Sequence, residues 1–251
     1  MGPWNSPGNV VNNLELKILL VGPRRTGKSS VGNTLLGRGR VFETRGGGAS
    51  AAASGVNTGR HMTVVDAQGW GSSEDSKPRE EKIELLRALD LCGSGGPHVI
   101  LLVIPLLDFT EPERRAIESR MEILTSGVWR HTMVLFTFGD WLRGRGRSVE
   151  QHIQSGGPAL QWLMEKCRYR YHVLDNKMAV TTKQERKQVR ELLGRVEDML
   201  QENGGWHFSL HMYHRLEEEW SRREQELRAR IEAEKEEERV KGERETEERR
   251  P

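Results

Sequence analysis

The sequence predicts an α/β protein with a mostly parallel, doubly wound sheet, followed by a long charged C-terminal helix. Two observations support this fold class. Short apolar runs typical of buried strands alternate along the chain with amphipathic segments typical of helices. This alternation favours parallel strands joined by helical crossovers. The second observation is that 24 of the last 36 residues are charged, so this segment cannot supply a core.

The predicted strands are short, apolar and ended by glycine or polar residues. They are Leu16–Val21, His61–Asp66, His98–Ile104, His131–Phe138 and Tyr171–Leu174. The third of them is the most hydrophobic, and we expect it at the centre of the sheet because a strand covered on both faces is apolar at every position.

Helices are predicted between these strands and after the last one. Their ranges are Ser29–Leu36, Arg79–Leu91, Glu111–Leu124, Val149–Cys167 and Lys183–Gln201. The helix that begins at Arg79 should present Ile83, Leu86 and Leu89 on one face. The last helix should pack through five apolar residues, which are Val189, Leu192, Leu193, Val196 and Leu200.

Three other segments have different compositions. Residues 1–13 are rich in glycine, proline and asparagine and are predicted to be a disordered lead-in. Residues 38–59 are rich in glycine and alanine without a period, which predicts a long loop of functional importance. Residues 206–251 are predicted to be a charged helical tail supported by i,i+4 pairs of opposite charge. A solvated helix is favoured for this tail, and a coiled coil is the alternative. The globular domain is therefore expected over residues 14–205.

The composition excludes several classes of protein. The longest apolar run, Val99–Leu107, is too short for a membrane span, and no secretion signal opens the chain. The two cysteines, Cys92 and Cys167, suggest neither a disulfide framework nor a metal cage, which fits the reducing cytosol. Outside the tail the chain carries 29 basic and 23 acidic residues, but no motif supports nucleic acid as a partner. We expect a cytoplasmic protein.

A complete G-x-x-x-x-G-K-S motif, Gly22–Ser29, follows the first strand and opens the first helix, as a phosphate-binding loop requires. Lys28 is expected to reach the phosphates, and the hydroxyl of Ser29 is expected to bind Mg²⁺. The residues predicted to bind phosphate in this loop are Gly22, Arg25, Thr26, Gly27, Lys28, Ser29 and Ser30.

A second site follows the strand that ends at Asp66. Asp66 can hold a magnesium-bound water, and Gly69 can donate its N–H to the γ-phosphate. Together they form the D-x-x-G pattern of GTPases, so Asp66 is predicted to join Ser29 at the metal and Gly69 to join the phosphate site. An ordinary strand-to-loop aspartate is the alternative interpretation.

A third site indicates which base is bound. The strand that begins at His131 ends in Thr137-Phe138-Gly139-Asp140, where GTPases carry [N/T]-K-x-D. A carboxylate at Asp140 can accept hydrogen bonds from guanine N1–H and N2–H₂, which adenine does not offer. Phe138 replaces the lysine whose stem covers the base, and its ring can do so by stacking.

These three sites and the segments between them resemble the GTPases of the immunity-associated protein family (GIMAP), most closely a fish-type branch. The resemblance rests on LKILLVGPRRTGKSSVGNTLLG, on Met62–Trp70, on VWRHTMVLFTFGDWL, on Val149–Ile153 with LQWLMEKC, and on RYHVLDNK. It covers about residues 16–203. It implies a Ras-like fold with extra helices, binding of GTP or GDP with Mg²⁺, homo- or hetero-oligomers that depend on nucleotide, and a cytoplasmic or membrane-peripheral location. The resemblance also places Asn176 near guanine.

The sequence departs from the family pattern in its switch segments. The family's D-T-P-G is Asp66-Ala67-Gln68-Gly69 here, and the loop over residues 38–59 has no clear Mg²⁺-binding threonine, although Thr44 and Ser50 are candidates. Trp70 stands where Ras-type enzymes place the glutamine that orients water. These departures predict slow or absent GTP hydrolysis. The leading hypothesis is a guanine-nucleotide-binding switch or scaffold. The alternatives are a pseudo-GTPase interaction module and, less favoured, a kinase or ATPase.

Overall fold

A computed structural model describes residues 15–37, 39–45, 48–71, 79–175 and 182–248. The predicted lead-in, residues 1–13, and Asn176 lie outside these ranges. The described chain divides into two compact units, one ending at Ser209 and one beginning at Leu210.

The first unit is built on a six-stranded sheet. Its strands are β1 (Leu16–Val21), β2 (Ala51–Asn57), β3 (Arg60–Asp66), β4 (Val99–Pro105), β5 (Thr132–Thr137) and β6 (Tyr171–Val173). Their order across the sheet is β2-β3-β1-β4-β5-β6, and all neighbours are parallel except β2 and β3. β1 and β4 lie at the centre, so the central position predicted for β4 is confirmed. The carboxyl ends of β1, β3, β4 and β5 therefore meet at one edge of the sheet, where ligands of open α/β sheets bind.

Helices connect the strands and follow the last of them. They are α1 (Lys28–Leu36), α2 (Arg79–Asp90), α3 (Glu111–Met121), α4 (Gly139–Arg143), α5 (Val149–Ser155), α6 (Gly157–Lys166), α7 (Thr182–Glu202) and, in the second unit, α8 (Leu210–Glu248). Short 3₁₀ turns over Glu122–Leu124 and Ser126–His131 lead from α3 into β5. None of these helices, within the ranges the structure describes, is both long and apolar enough to cross a membrane.

One face of the sheet forms an apolar cluster together with α1 and α7. All five residues predicted to pack from α7 are buried in it. The prediction for α2 is wrong at Ile83, which is 53% exposed, whereas Leu89 is buried as predicted. The other buried residues of α2 are Leu85 and Ala88. Residues spaced by three along a helix, as 83, 86 and 89 are, do not stay on one face. Residues at i, i+3 and i+4, as 85, 88 and 89 are, lie on the same face and can be buried together.

Residues 38–59 are not a simple loop, because Ala51–Asn57 form the antiparallel edge strand β2. It pairs with β3 from Ala51 opposite Asp66 to Asn57 opposite Arg60. The Asn57 amide also donates to the main-chain oxygens of Thr34 and Leu35 and so caps α1. Glycine and alanine have little propensity for strands, so β2 depends on its backbone hydrogen bonds to β3. Such pairing cannot be recognised from the periodicity of the sequence.

The helix predicted over Val149–Cys167 is two helices. α5 ends at Ser155 and α6 begins at Gly157, whose φ of +71° is a left-handed conformation that suits glycine. A methyl group on Gly156 would collide with the side chain of Leu160. The chain therefore turns at two consecutive glycines. Gly157 adopts the left-handed conformation without strain, and Gly156 has no side chain to collide with Leu160.

Candidate nucleotide-binding site

The loop between β1 and α1 contains the predicted phosphate-binding residues. Gly27 has a φ of +92° and Arg25 a φ of +64°, so both are in left-handed conformations. Such residues turn successive backbone N–H groups towards one side and form a concavity for anions. Thr26 donates its hydroxyl to the main-chain oxygen of Pro23 at 3.1 Å, which fixes the turn. Ser29 and Ser30 lie in the first turn of α1, directly after the loop.

Gly22 begins this loop against the neighbouring strand β4. Its φ is +146°, and a β-carbon at this position would collide with the main-chain oxygen of Val103. Glycine is therefore required here for close packing, which brings the loop to the edge of the sheet.

Lys28 is only 6% exposed. Its ammonium donates to the main-chain oxygens of Gly22 at 3.1 Å and Pro23 at 2.8 Å. Burial lowers the pKa of Lys28 to about 8, with the charge of Asp66 raising it and the charge of Arg24 lowering it. A phosphate placed here would raise the pKa of Lys28 and favour its charged form, because a nearby anion stabilises an ammonium that two neutral carbonyls compensate poorly.

Ser29 and Asp66 lie at the same edge of the sheet. The Ser29 hydroxyl donates to Asp66 Oδ2 at 2.6 Å. Burial is the largest cause that raises the pKa of Asp66. Its other oxygen, Oδ1, is buried without a hydrogen-bond partner among the described residues. A hydroxyl and a carboxylate with an unsatisfied oxygen are hard oxygen donors, so these residues fit Mg²⁺.

Gly69 lies directly against the phosphate loop. A β-carbon on Gly69 would be 2.7 Å from Lys28 Nζ and 2.8 Å from Arg24 Cα, so no other residue fits without a shift. The next residue, Trp70, is 3% exposed and forms a parallel bridge with Pro23. The D-x-x-G segment therefore contacts the phosphate loop in this structure.

Ser50, one of the two candidates for the magnesium-binding hydroxyl, is engaged elsewhere. Its Oγ lies 3.0 Å from Glu84 Oε2 and accepts a hydrogen bond from Gln68 N at 3.0 Å. The N–H of Ser50 donates to the same Glu84 oxygen, and this bond is the main cause that lowers the pKa of Glu84. Ser50 thus links β2 to α2. Thr44, the other candidate, is exposed.

A buried ion pair that the sequence did not indicate holds the segment after Gly69. Glu81 on α2 accepts from the N–H of Gly71 at 2.9 Å and from Arg120 Nη2 on α3 at 3.0 Å. The Arg120 side chain is 2% exposed and the Glu81 side chain 12%. The two residues lie 39 positions apart, so only the packing of α2 beside α3 brings them together.

The predicted guanine-binding segment follows β5. Thr137 is fully buried, and its hydroxyl donates to the main-chain oxygen of Thr26 at 2.8 Å, which ties this segment to the phosphate loop. Phe138 has a φ of +61° and is 41% exposed. Asp140 is half-buried in the first turn of α4. The predicted contacts of Thr137, Phe138 and Asp140 with guanine stay predictions.

The end of β6 packs beside the same segment. Asp175 is 6% exposed, and a β-carbon on Gly139 would be 2.5 Å from its Oδ1. Its other oxygen accepts from Gln188 Nε2 on α7 at 3.0 Å. Asn176, the fourth residue predicted to bind guanine, follows Asp175 directly but lies outside the described residues.

Comparison with known protein families shows which family this chain belongs to. The sequence profile of the AIG1 family matches residues 16–227. The chain belongs to the AIG1 family. Human GTPase IMAP family member 8 is 29% identical over 213 residues, which are 82% of this chain and 29% of that protein. Immune-associated nucleotide-binding protein 5 of Arabidopsis thaliana is 31% identical over 192 residues, which are 75% of this chain and 62% of that protein. The predicted GIMAP resemblance is confirmed, and the fish-type branch stays a prediction.

The chain corresponds to only part of each of these relatives, and its fold is similar to that of a solved structure. It spans less than two thirds of the length of these curated relatives. The crystal structure of Toc33 from Arabidopsis thaliana with Mg²⁺ and GMPPNP is 13% identical, has a TM-score of 0.54, and covers 73% of this chain and 85% of Toc33. At this identity the likeness concerns the fold alone, and it confirms the predicted Ras-like α/β class.

Proposed function

We propose that this AIG1-family domain is a guanine-nucleotide-binding switch or scaffold that binds GTP and GDP with Mg²⁺. The observation that carries the proposal is the convergence of Lys28, Ser29 and Asp66 beside the turned loop at the edge of the sheet. Lys28 keeps an ammonium on two neutral carbonyls, and Asp66 keeps an unsatisfied oxygen. Phosphate and magnesium would satisfy both.

Each predicted residue then has a role in binding. The backbone of residues 22–27, Lys28 and Ser30 hold the phosphates, and Ser29 and Asp66 hold Mg²⁺. When bound there, Mg²⁺ would neutralise part of the charge of the phosphates. Asp140 reads guanine N1–H and N2–H₂, Phe138 covers the base, and Thr137 fixes the distance between base and phosphates through its bond to Thr26.

The nucleotide is identified by releasing it from the purified protein and by titration. We expect bound GDP or GTP, and fluorescent GDP should bind in a Mg²⁺-dependent way while ADP competes poorly. The variant Asp66→Asn should lose the Mg²⁺ dependence. Adenine nucleotide in the purified protein would overturn the base assignment, and the absence of any binding would overturn the proposal as a whole.

We further infer that hydrolysis is slow. The water-orienting glutamine of Ras-type enzymes is replaced by Trp70, which is buried, and Gln68 is held by Ser50 through its backbone N–H. Turnover by the monomer should be on the order of 10⁻⁴–10⁻³ s⁻¹, as in unstimulated small GTPases. If groups supplied in trans accelerate the reaction, the specific rate should rise with protein concentration. A fast rate that is independent of concentration would contradict this inference.

Self-association in a nucleotide-dependent way is part of the proposal. It is supported by the family resemblance and by Toc33, for which a dimerization-deficient variant has been crystallised. Light scattering with GDP and with a non-hydrolysable GTP analogue would measure it. We also propose a domain over residues 14–205 with a helical tail, a cytoplasmic location and optional peripheral membrane association.

A second candidate function is a pseudo-GTPase interaction module. One observation favours it: the Ser50 hydroxyl, a candidate for the switch ligand of Mg²⁺, is committed to Glu84. Such a module would bind GDP and GTP with equal affinity and show no change in hydrogen exchange of residues 66–71 between the two. A clear difference between the two nucleotides would favour the switch.

A further inference from the structure

Arg24, in the phosphate loop, makes two hydrogen bonds to the D-x-x-G segment. Its main-chain N–H donates to the oxygen of Trp70 at 2.9 Å. Its side-chain Nε donates to the oxygen of Gly69 at 3.0 Å. With the bridge between Pro23 and Trp70, these bonds fix the peptide that follows Gly69 on the loop.

This contact positions Gly69 beside the lysine of the loop. A β-carbon on Gly69 would touch both Lys28 Nζ and the backbone of Arg24. The glycine that is proposed to meet the terminal phosphate therefore lies beside the lysine that is proposed to bind the same phosphate. An ordered segment spares the nucleotide part of the entropy cost of closing the site.

Arg24 also adds charge at this end of the site. Its side-chain Nε is held at the oxygen of Gly69, and a β-carbon on Gly69 would lie 2.7 Å from Lys28 Nζ. A guanidinium carries five N–H donors, and the bond to Gly69 uses Nε alone. Arg24 is an exposed residue, so we infer that its other donors are open to a phosphate.

We propose that Arg24 is a specificity-determining residue that favours a nucleoside triphosphate over a diphosphate. It holds the Gly69 segment beside Lys28 and supplies a second positive charge to the terminal phosphate. A diphosphate uses the loop and Lys28 but gains little from Arg24. This inference rests on the proposed nucleotide binding and adds a residue that discriminates between its two ligands.

The test compares dissociation constants for GMPPNP and for GDP in the full chain. Arg24→Ala should weaken GMPPNP binding about five- to tenfold, the size of one ordinary hydrogen bond, and leave GDP binding nearly unchanged. Arg24→Lys, which keeps the charge, should retain most of the preference, whereas Arg24→Gln should lose it. Arg115→Ala is the matched control, because it removes the same charge from an exposed position of α3 outside the site.

The outcomes separate this inference from the proposed function. Equal losses for GDP and GMPPNP in Arg24→Ala, or an equal effect of Arg115→Ala, would overturn the role of Arg24. Tighter binding of GMPPNP by Arg24→Ala would also overturn it, because the contact with Gly69 would then obstruct the terminal phosphate. If the wild-type protein bound neither nucleotide, the proposed function itself would fail.

Discussion

The hydroxyl of Thr137 donates a hydrogen bond to the main-chain oxygen of Thr26 at 2.8 Å, although the two residues are 111 positions apart in the chain. The bond joins the end of β5, which carries the proposed base-reading residues, to the loop proposed to hold the phosphates. Both side chains are buried. The Thr137 side chain therefore fixes the distance between the proposed base and phosphate subsites. Its hydroxyl is buried, so water cannot replace the bond.

Replacement of Thr137 by valine should weaken both the fold and the nucleotide site. Valine has nearly the same shape but leaves the oxygen of Thr26 without this donor, which costs on the order of 1–2 kcal/mol. Thr137→Ser, which keeps the hydroxyl, is the control. Chemical denaturation and GDP titration would measure the two effects, and identical behaviour of the valine and serine variants would show that the bond is dispensable.

Lys28 should make the proposed nucleotide binding pH-dependent. Its pKa in the free site is lowered to about 8, mainly by burial, and bound phosphates raise it. Binding above this pH therefore requires proton uptake, and the dissociation constant for GDP should rise by up to about tenfold per pH unit. Lys28→Ala should abolish binding. Lys28→Arg keeps its charge and is the control, so a pH profile shared with the wild type would assign the effect to another group.

Asp140→Asn should lower the affinity for guanine nucleotides and favour xanthine nucleotides. Xanthine presents a carbonyl where guanine has its amino group, so an amide donor suits it better than a carboxylate. Competition between GDP and xanthosine diphosphate for the wild-type and variant proteins would measure the change. If the variant prefers GDP as strongly as the wild type does, Asp140 does not read the base.

Buried histidines should make the fold sensitive to acid. Burial is the main cause that lowers the pKa of His131 to about 4 and that of His172 to about 4. The unfolded chain binds these protons near the ordinary histidine pKa of about 6.5. Stability is therefore fully present above that pH and is lost as the pH falls towards 4, by on the order of 1–3 kcal/mol for each histidine.

Thermal unfolding across this range tests the effect. His131→Asn should flatten the dependence of the melting temperature on pH, whereas His61→Asn, at an exposed position of β3, should leave it unchanged. Equal slopes for the wild type and His131→Asn would show that His131 does not contribute to the acid sensitivity.

Much of the fold followed from local patterns. The predicted parallel strands are present within one or two residues of their predicted bounds, and so is the helix that packs through Val189 and Leu192. The turn between β1 and α1 was also predictable, because glycines at fixed spacing suit the close packing at Gly22 and the left-handed conformation of Gly27. Periodicity and spacing report such features directly, since each depends on neighbours within a few residues.

Other features needed contacts between distant segments. The strand Ala51–Asn57 exists because β3 offers backbone partners, and its small side chains carry no signal of this. The burial of Lys28, the bond of Arg24 to Gly69, and the pair of Glu81 with Arg120 depend on loops and helices that meet only after the sheet forms. The sequence by itself determined which chemical groups stand at the carboxyl ends of the strands. The tertiary structure decided which of them touch, because burial and hydrogen-bond pairing are properties of the packed chain.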